Sequence, residues 1–209
     1  MIRGVSGAER FALAGAAAVL LLQAADLGSA LEYRRALLAT EPWRLVTGHL
    51  VHANWRHAIL NALAWFATAR LFAYELPPAS QAWLLATSAL GASLLLWLAA
   101  PHVAWYRGLS GALHGLFAAA AVLWLARAVK VRDAGAARRA LAPALLLAVV
   151  WAKVLAEQLG VAAIANQSWP GVAVVTQSHL FGAGVGTLAA ALTARWRGVP
   201  LSRPSSRPP

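Results

Sequence analysis

The sequence contains no cysteine. That absence excludes a disulfide framework, a zinc–thiolate site, an iron–sulfur cluster and a cysteine nucleophile. Charge is also scarce: 12% of residues are Asp, Glu, Lys or Arg, against about 25% in a soluble domain. Acidic residues are the rarest of these, 7 against 18 Lys and Arg, for a formal net charge of +11. No internal repeat is visible, which argues against the duplicated halves of many transporter folds. What the chain has instead is apolar surface, with 60% hydrophobic residues and a mean hydropathy of +0.62. This composition excludes disorder and argues against an ordinary soluble enzyme. It fits an all-α membrane protein whose 209 residues allow about six spans, each needing roughly 20 residues plus a loop.

Apolar runs of membrane length fall at about 11–27, 57–74, 81–100, 109–126, 141–160 and 172–194. The first, flanked by Arg3 and Arg10, has the outline of a signal peptide. No small-x-small cleavage site leads into a soluble domain, and five more runs follow, so a retained helix is expected. The reading is one membrane domain over 1–197 and a disordered Pro/Ser/Arg-rich tail over 198–209.

Six spans put both termini on one side, and the basic residues choose it. Arg3, Arg10, Arg70, Arg127, Lys130, Arg132, Arg138, Arg139, Arg195, Arg197, Arg203 and Arg207 share the side of the termini. Arg34, Arg35, Arg44, Arg56, Arg107 and Lys153 fall on the other. Twelve against six predicts cytoplasmic termini. The same placement, between apolar runs and not on one face, argues against nucleic acid as a partner.

Polar groups at membrane depth are costly and need a reason. Those singled out are His49, His52, His57, Asn61, Ser110, His114 and His179. Ser110 lies in Gly108-Leu109-Ser110-Gly111 at the start of the fourth run. Flanking glycines allow a sharp turn, and a helix start offers free N–H groups that stabilise an oxyanion. A helix-capping serine with packing glycines fits the same four residues. His179 lies near the start of the sixth run, either as a structural histidine bonded to a neighbouring helix or as a base. Gly111 with Gly115, and Gly182 with Gly186, form small-xxx-small faces that let helices approach closely. Close approach is what a Ser–His hydrogen bond across helices requires.

Depth supports that pairing. Ser110 lies 17 residues before Arg127 and His179 lies 16 before Arg195, about 26 and 24 Å at 1.5 Å per residue. His57 and Asn61, counted back from Glu75, fall at roughly 27 and 21 Å. They are four apart and share a helix face, and an asparagine amide is a good oxyanion donor. His49, His52 and His57 lack the i, i+4 spacing of helical metal ligands and have no carboxylate beside them, so neither metal nor cofactor is expected. Glu157, four residues after Lys153, reads as an i, i+4 ion pair. With no acid left to complete a triad, a nucleophilic Ser110 is expected to work in a dyad.

These residues resemble the rhomboid family of intramembrane serine proteases in four blocks. They are Trp43-Arg44, His52-x4-His57-x3-Asn61, Gly108-Leu109-Ser110-Gly111, and His179-x2-Gly182. Order, spacing and run number agree over roughly residues 40–195. The resemblance implies a six-transmembrane-helix rhomboid fold with Ser110 as nucleophile and His179 as general base. It implies that Asn61, His57 and the Ser110 N–H hold the oxyanion, that His52 structures the top of the second span, and that the fifth span flanks a lateral substrate route.

Tyr106-Arg107-Gly108-Leu109-Ser110-Gly111 with His114-Gly115 resembles the rhombosortase branch. That branch implies membrane-anchored substrates with a C-terminal tail made of a Gly-Gly motif, an apolar helix and a basic end. His114 is then either a buried histidine bonded to a neighbouring helix or the floor of a glycine-selective pocket beneath Ser110, and Gly108 joins His57, Asn61 and His114 as an oxyanion or substrate-binding position. The resemblance implies a bacterial inner membrane, with the active site towards the periplasm. Water or an amine would resolve the acyl-enzyme. A general rhomboid protease and a non-catalytic rhomboid-like binding protein are the alternatives.

Overall fold

Six long helices dominate the computed structural model, which describes residues 4–130, 133–161 and 174–196. They are α1 (Gly7–Ala24), α2 (Trp55–Leu71), α3 (Pro78–Ala99), α4 (Ser110–Lys130), α5 (Ala136–Gln158) and α6 (Thr176–Trp196). Each overlaps one apolar run, but the starts of α1, α2 and α3 are set by local signals and not by hydropathy. The Ser6 N–H donates to Glu9 Oε2 at 2.6 Å while Ser6 Oγ accepts from the Glu9 N–H at 3.2 Å. This capping box opens α1 ahead of its apolar stretch. Asn54 Oδ1 accepts from the His57 N–H at 2.9 Å and opens α2. Pro78 takes the first position of α3, where a missing N–H costs nothing. The 198–209 tail and the first residues of the sixth run lie outside the described residues.

α1, α3, α4 and α5 are long and apolar enough to cross a membrane by length and composition. α2 has 17 residues and carries Arg56, His57 and Asn61 in its first two turns. α6 opens with Thr176, Gln177, Ser178 and His179. The two less apolar helices are thus the ones that, with α4, bear the polar residues singled out above.

α4 is the central helix, packed by α3, α5 and α6, while α1 packs on α2. Its residues Ala118, Ala119, Ala120 and Ala121 are fully buried, as expected of a helix covered on all sides. The α4–α6 seam is the tightest. A side chain at Gly111 would meet the Ser178 carbonyl at 2.8 Å, and one at Gly115 would meet the Gly182 carbonyl at 2.6 Å. Reciprocally, Gly182 and Gly186 lie against the Gly111 and Gly115 carbonyls. The two small-residue faces therefore meet, and the helices run in backbone contact.

The end of the bundle where α1 starts is tied by Gln81, which is fully buried. Its amide donates to the carbonyls of Ala8 (3.1 Å) and Leu76 (3.0 Å), and its oxygen accepts from Trp65 Nε1 (3.2 Å). One side chain thereby joins α1, α2 and α3. Arg127 pairs with Glu75 at the same end.

At the opposite end, the connection from α1 to α2 forms short helical turns at Gly28–Leu31 and Arg44–Thr47. It also forms β1 (Tyr33–Arg34), which pairs antiparallel with β2 (Trp105–Tyr106) just before α4. An all-α expectation does not include this bridge, because two-residue strands leave no alternation to read. Arg35 donates to the carbonyls of Trp97 (2.8 Å), Leu96 (2.6 Å) and Ala100 (2.9 Å), satisfying the open C-terminal end of α3. Arg44 is buried and donates to the carbonyls of Glu32 (2.9 Å) and Ser29 (3.2 Å). Glu32 accepts from Arg34 and, at 2.6 Å, from Arg107. Burial raises the pKa of Glu32, and the hydrogen bonds from Arg34 and Arg107 more than offset it, leaving the carboxyl below its usual range. The arginines of this end are largely committed to carbonyls and carboxylates.

Candidate active site

The turn entering α4 is held from several sides. Gly108 has φ +129°, and a side chain there would meet the His57 ring at 2.5 Å, so both its backbone and its neighbour call for glycine. The Gly108 N–H donates to the Gly48 carbonyl at 3.0 Å. The Leu109 N–H donates to His52 Nε2 at 3.3 Å. Tyr106 is buried; its hydroxyl donates to the Gly108 carbonyl and accepts from the Gly111 N–H at 3.4 Å. Ser110 follows as the first residue of α4, where the backbone N–H has no partner within the helix.

His179, one turn into α6, places Nε2 2.9 Å from Ser110 Oγ. Its other ring nitrogen, Nδ1, lies 2.8 Å from Glu157 Oε2. A dyad reading leaves Glu157 out; in the structure this buried carboxylate reaches the histidine from α5 while keeping its pairing to Lys153, 2.8 Å away. Lys153 Nζ also lies 2.7 Å from His114 Nε2 and 3.2 Å from His179 Nδ1. His114 Nδ1 lies 2.7 Å from the Ser110 carbonyl oxygen. The two imidazoles stack, with centroids 4.2 Å apart at 20°. His114 thus bonds to Lys153 of the neighbouring α5, and both of its nitrogens have partners within the protein.

Asn61 is buried, and its amide donates to the His57 carbonyl at 3.1 Å. An amide nitrogen carries two hydrogens, so one remains for a ligand. His57 stands edge-on to His52, with centroids 4.9 Å apart. Two spaces meet at the serine. One, of 320 Å³, is lined by Asn61, Ala64 and Thr68 of α2, Leu113, His114 and Phe117 of α4, and Val149, Val150 and Lys153 of α5. The other, of 340 Å³, is bounded by His57, Asn61, Trp105, Arg107, Glu157 and His179. Ser110, His114 and Lys153 border both. A wider groove of 730 Å³ between α3 and α6, beside Trp83 and Leu188, holds no titratable side chain.

His114, Glu157 and His179 offer three ligand atoms within 4.8 Å of one another. The Lys153 ammonium contacts all three residues, so a cation of the protein's own stands among them. His49 and His52 are committed elsewhere, His49 to Ser93 Oγ at 2.9 Å.

A comparison with protein families matches the Rhomboid domain to residues 39–196. The chain belongs to the rhomboid family. No curated protein matches it. Rhomboid family members are generally intramembrane serine proteases that act on membrane proteins within the bilayer. With the apolar helices, membership makes this rhomboid a multi-pass membrane protein.

Sequence reasoning missed Glu157, Lys153 and Tyr106 as parts of this constellation. The only local signal was the i, i+4 spacing of Lys153 and Glu157, which the ion pair between them already explains. The reach of Glu157 to α6 depends on how α5 packs, and no periodicity reports that.

Proposed function

We propose that this rhomboid is a serine endopeptidase working inside the bilayer, with Ser110 as nucleophile and His179 as general base. The 2.9 Å contact between Ser110 Oγ and His179 Nε2 carries the reading. In acylation, Ser110 Oγ bonds to the scissile carbonyl carbon and its proton passes to His179 Nε2. As the carbon–nitrogen bond breaks, His179 returns that proton to the leaving nitrogen. Water, or an amine, then releases the acyl group. The developing oxyanion lies against the Ser110 N–H and the second Asn61 hydrogen, with His57 beside them.

In this reading all six long helices span the membrane, both termini face the cytoplasm, and the site opens towards the periplasm of a bacterial inner membrane. The substrate is a membrane-anchored protein with a C-terminal Gly-Gly tail. The sequence around Ser110, with His114 one turn on, supports that substrate class. Co-expression with a reporter carrying such a tail tests it. Cleavage is expected with the native protein and absent with Ser110→Ala. Equal cleavage of a reporter whose Gly-Gly is replaced by Leu-Leu would leave a general rhomboid protease in its place.

A further inference from the structure

The hydrogen bonds around His179 admit one consistent assignment of donors. A carbonyl oxygen only accepts, so His114 Nδ1 donates to the Ser110 carbonyl and His114 Nε2 is left as an acceptor. An ammonium only donates, so Lys153 fills that acceptor and also donates to Glu157 Oε1. Glu157, held ionised by the ammonium, accepts at Oε2 from His179 Nδ1. The alternative, Lys153 donating to His179 Nδ1, would spend the longer 3.2 Å contact and set two acceptors, carboxylate and imidazole nitrogen, face to face at 2.8 Å. With Nδ1 protonated, Nε2 presents its lone pair to the Ser110 hydroxyl. The chain of bonds starts at the Ser110 carbonyl, passes through His114, Lys153, Glu157 and His179, and returns to Ser110 Oγ.

From this ring we infer that Glu157 is the third member of a Ser–His–Glu group, a positioning residue that fixes the tautomer and orientation of His179. Lys153 and His114 fasten the carboxylate to the nucleophile's own main chain. The inference rests on the protease reading and adds to it. Glu157 takes no proton in the reaction. The proton moves from Ser110 Oγ to His179 Nε2 as the oxygen–carbon bond forms, and Nδ1 keeps its own throughout. The carboxylate faces the positive charge that then develops on the imidazole. At membrane depth an isolated carboxylate is costly; here Lys153 and Glu157 neutralise one another, so the group carries no net charge before substrate binds.

The test measures labelling of Ser110 by a fluorophosphonate in the full-length protein, resolved into a maximal rate and a half-saturating concentration. Glu157→Gln keeps shape and volume but cannot accept from Nδ1–H as a carboxylate does. It is expected to lower the maximal rate about 10²–10⁴-fold with half-saturation within about threefold, because the substitution preserves the volume of the side chain that borders the cavity. Glu157→Asp, which restores the charge, is expected to recover at least about tenfold of that loss. Thermal melting in detergent accompanies each variant. A maximal rate in Glu157→Gln within about threefold of the native one overturns the inference alone. So does a loss that merely tracks the fraction of folded protein and is not recovered by Glu157→Asp. Absence of Ser110 labelling in the native protein overturns the protease reading and this inference with it.

Discussion

Where α4 meets α6, glycines replace side chains and the backbones touch at Gly111–Gly182 and Gly115–Gly186. Where α2 faces α5, the space beside the same serine stays open as a cavity of 320 Å³. Both regions border Ser110, and they differ in what fills the gap between helices. The seam leaves no gap for a side chain, and it brings Ser110 Oγ within 2.9 Å of His179 Nε2. α5 is the opposite case: among its described residues only Pro143, Val150, Val154 and Glu157 are buried. In the proposed reading, a close-packed pair beside an open flank suits an enzyme whose substrate enters from that flank and whose catalytic geometry must be in place beforehand.

The largest effect is expected from breaking the seam. Gly182→Val puts a branched side chain against the Gly111 carbonyl, and overpacking of this kind costs about 1–3 kcal/mol or more. Loss of Ser110 labelling together with a lower melting temperature is the expected result. Gly184→Ala, two residues away, has nothing within 4 Å of its new methyl group and is expected to behave as native. Similar behaviour of the two variants would remove the special status of the seam.

Next comes the α2 wall of the cleft, where Asn61 lines both cavities beside Ser110. Asn61→Ala is expected to lower the cleavage rate about 10²–10³-fold, the usual cost of losing one oxyanion donor. It is expected to leave the melting temperature near native, since among the described residues the bond lost is that to the His57 carbonyl. A rate within a fewfold of native would take Asn61 out of the oxyanion site.

The cleft itself is tested by filling it. Ala64 lines both spaces, so Ala64→Phe narrows the approach from α2. Cleavage of a membrane-anchored reporter should fall about 10–200-fold, the range for a steric misfit, while a small fluorophosphonate still labels Ser110. Equal losses for reporter and reagent would mean that the cleft shapes the site and is not a route to it.

The smallest effect concerns the loop that braces the far side of the seam. The Glu32 carboxyl is held below its usual range. Its contribution to stability is therefore complete above the unfolded value of about 4.5 and is lost as pH falls through the lower folded value. The melting temperature of native protein should exceed that of Glu32→Gln at neutral pH, and the gap should close as pH falls below the unfolded value. A gap that is constant with pH would assign the effect to packing.

Much of this arrangement is legible in the sequence. Apolar runs located all six long helices, because length and hydropathy are local properties. Ser110, His179, His57 and Asn61 stood out because polar groups are rare in such runs, and counting along helices brought them to one level. The pairing of glycine faces was legible because each face repeats every four residues. What was hidden is what joins elements distant in the chain. Glu157 had a sufficient local explanation in Lys153. Arg35 and Arg44 counted as loop charges, yet they cap α3 and bind the loop's own carbonyls. Tyr106 gave no sign that its hydroxyl pins the turn before the serine. Helix starts were off by a few residues because Ser6, Asn54 and Pro78 set them, and hydropathy does not register caps.

The central claim is that the α4–α6 seam makes Ser110 a reactive nucleophile through His179. Its most direct test is fluorophosphonate labelling of the purified full-length protein, mapped by peptide mass spectrometry, for the native chain, Ser110→Ala and His179→Ala. The account predicts a single labelled residue, Ser110, with labelling lost in both variants while their melting temperatures stay near native. Labelling of Ser110 in His179→Ala at the native rate would contradict it.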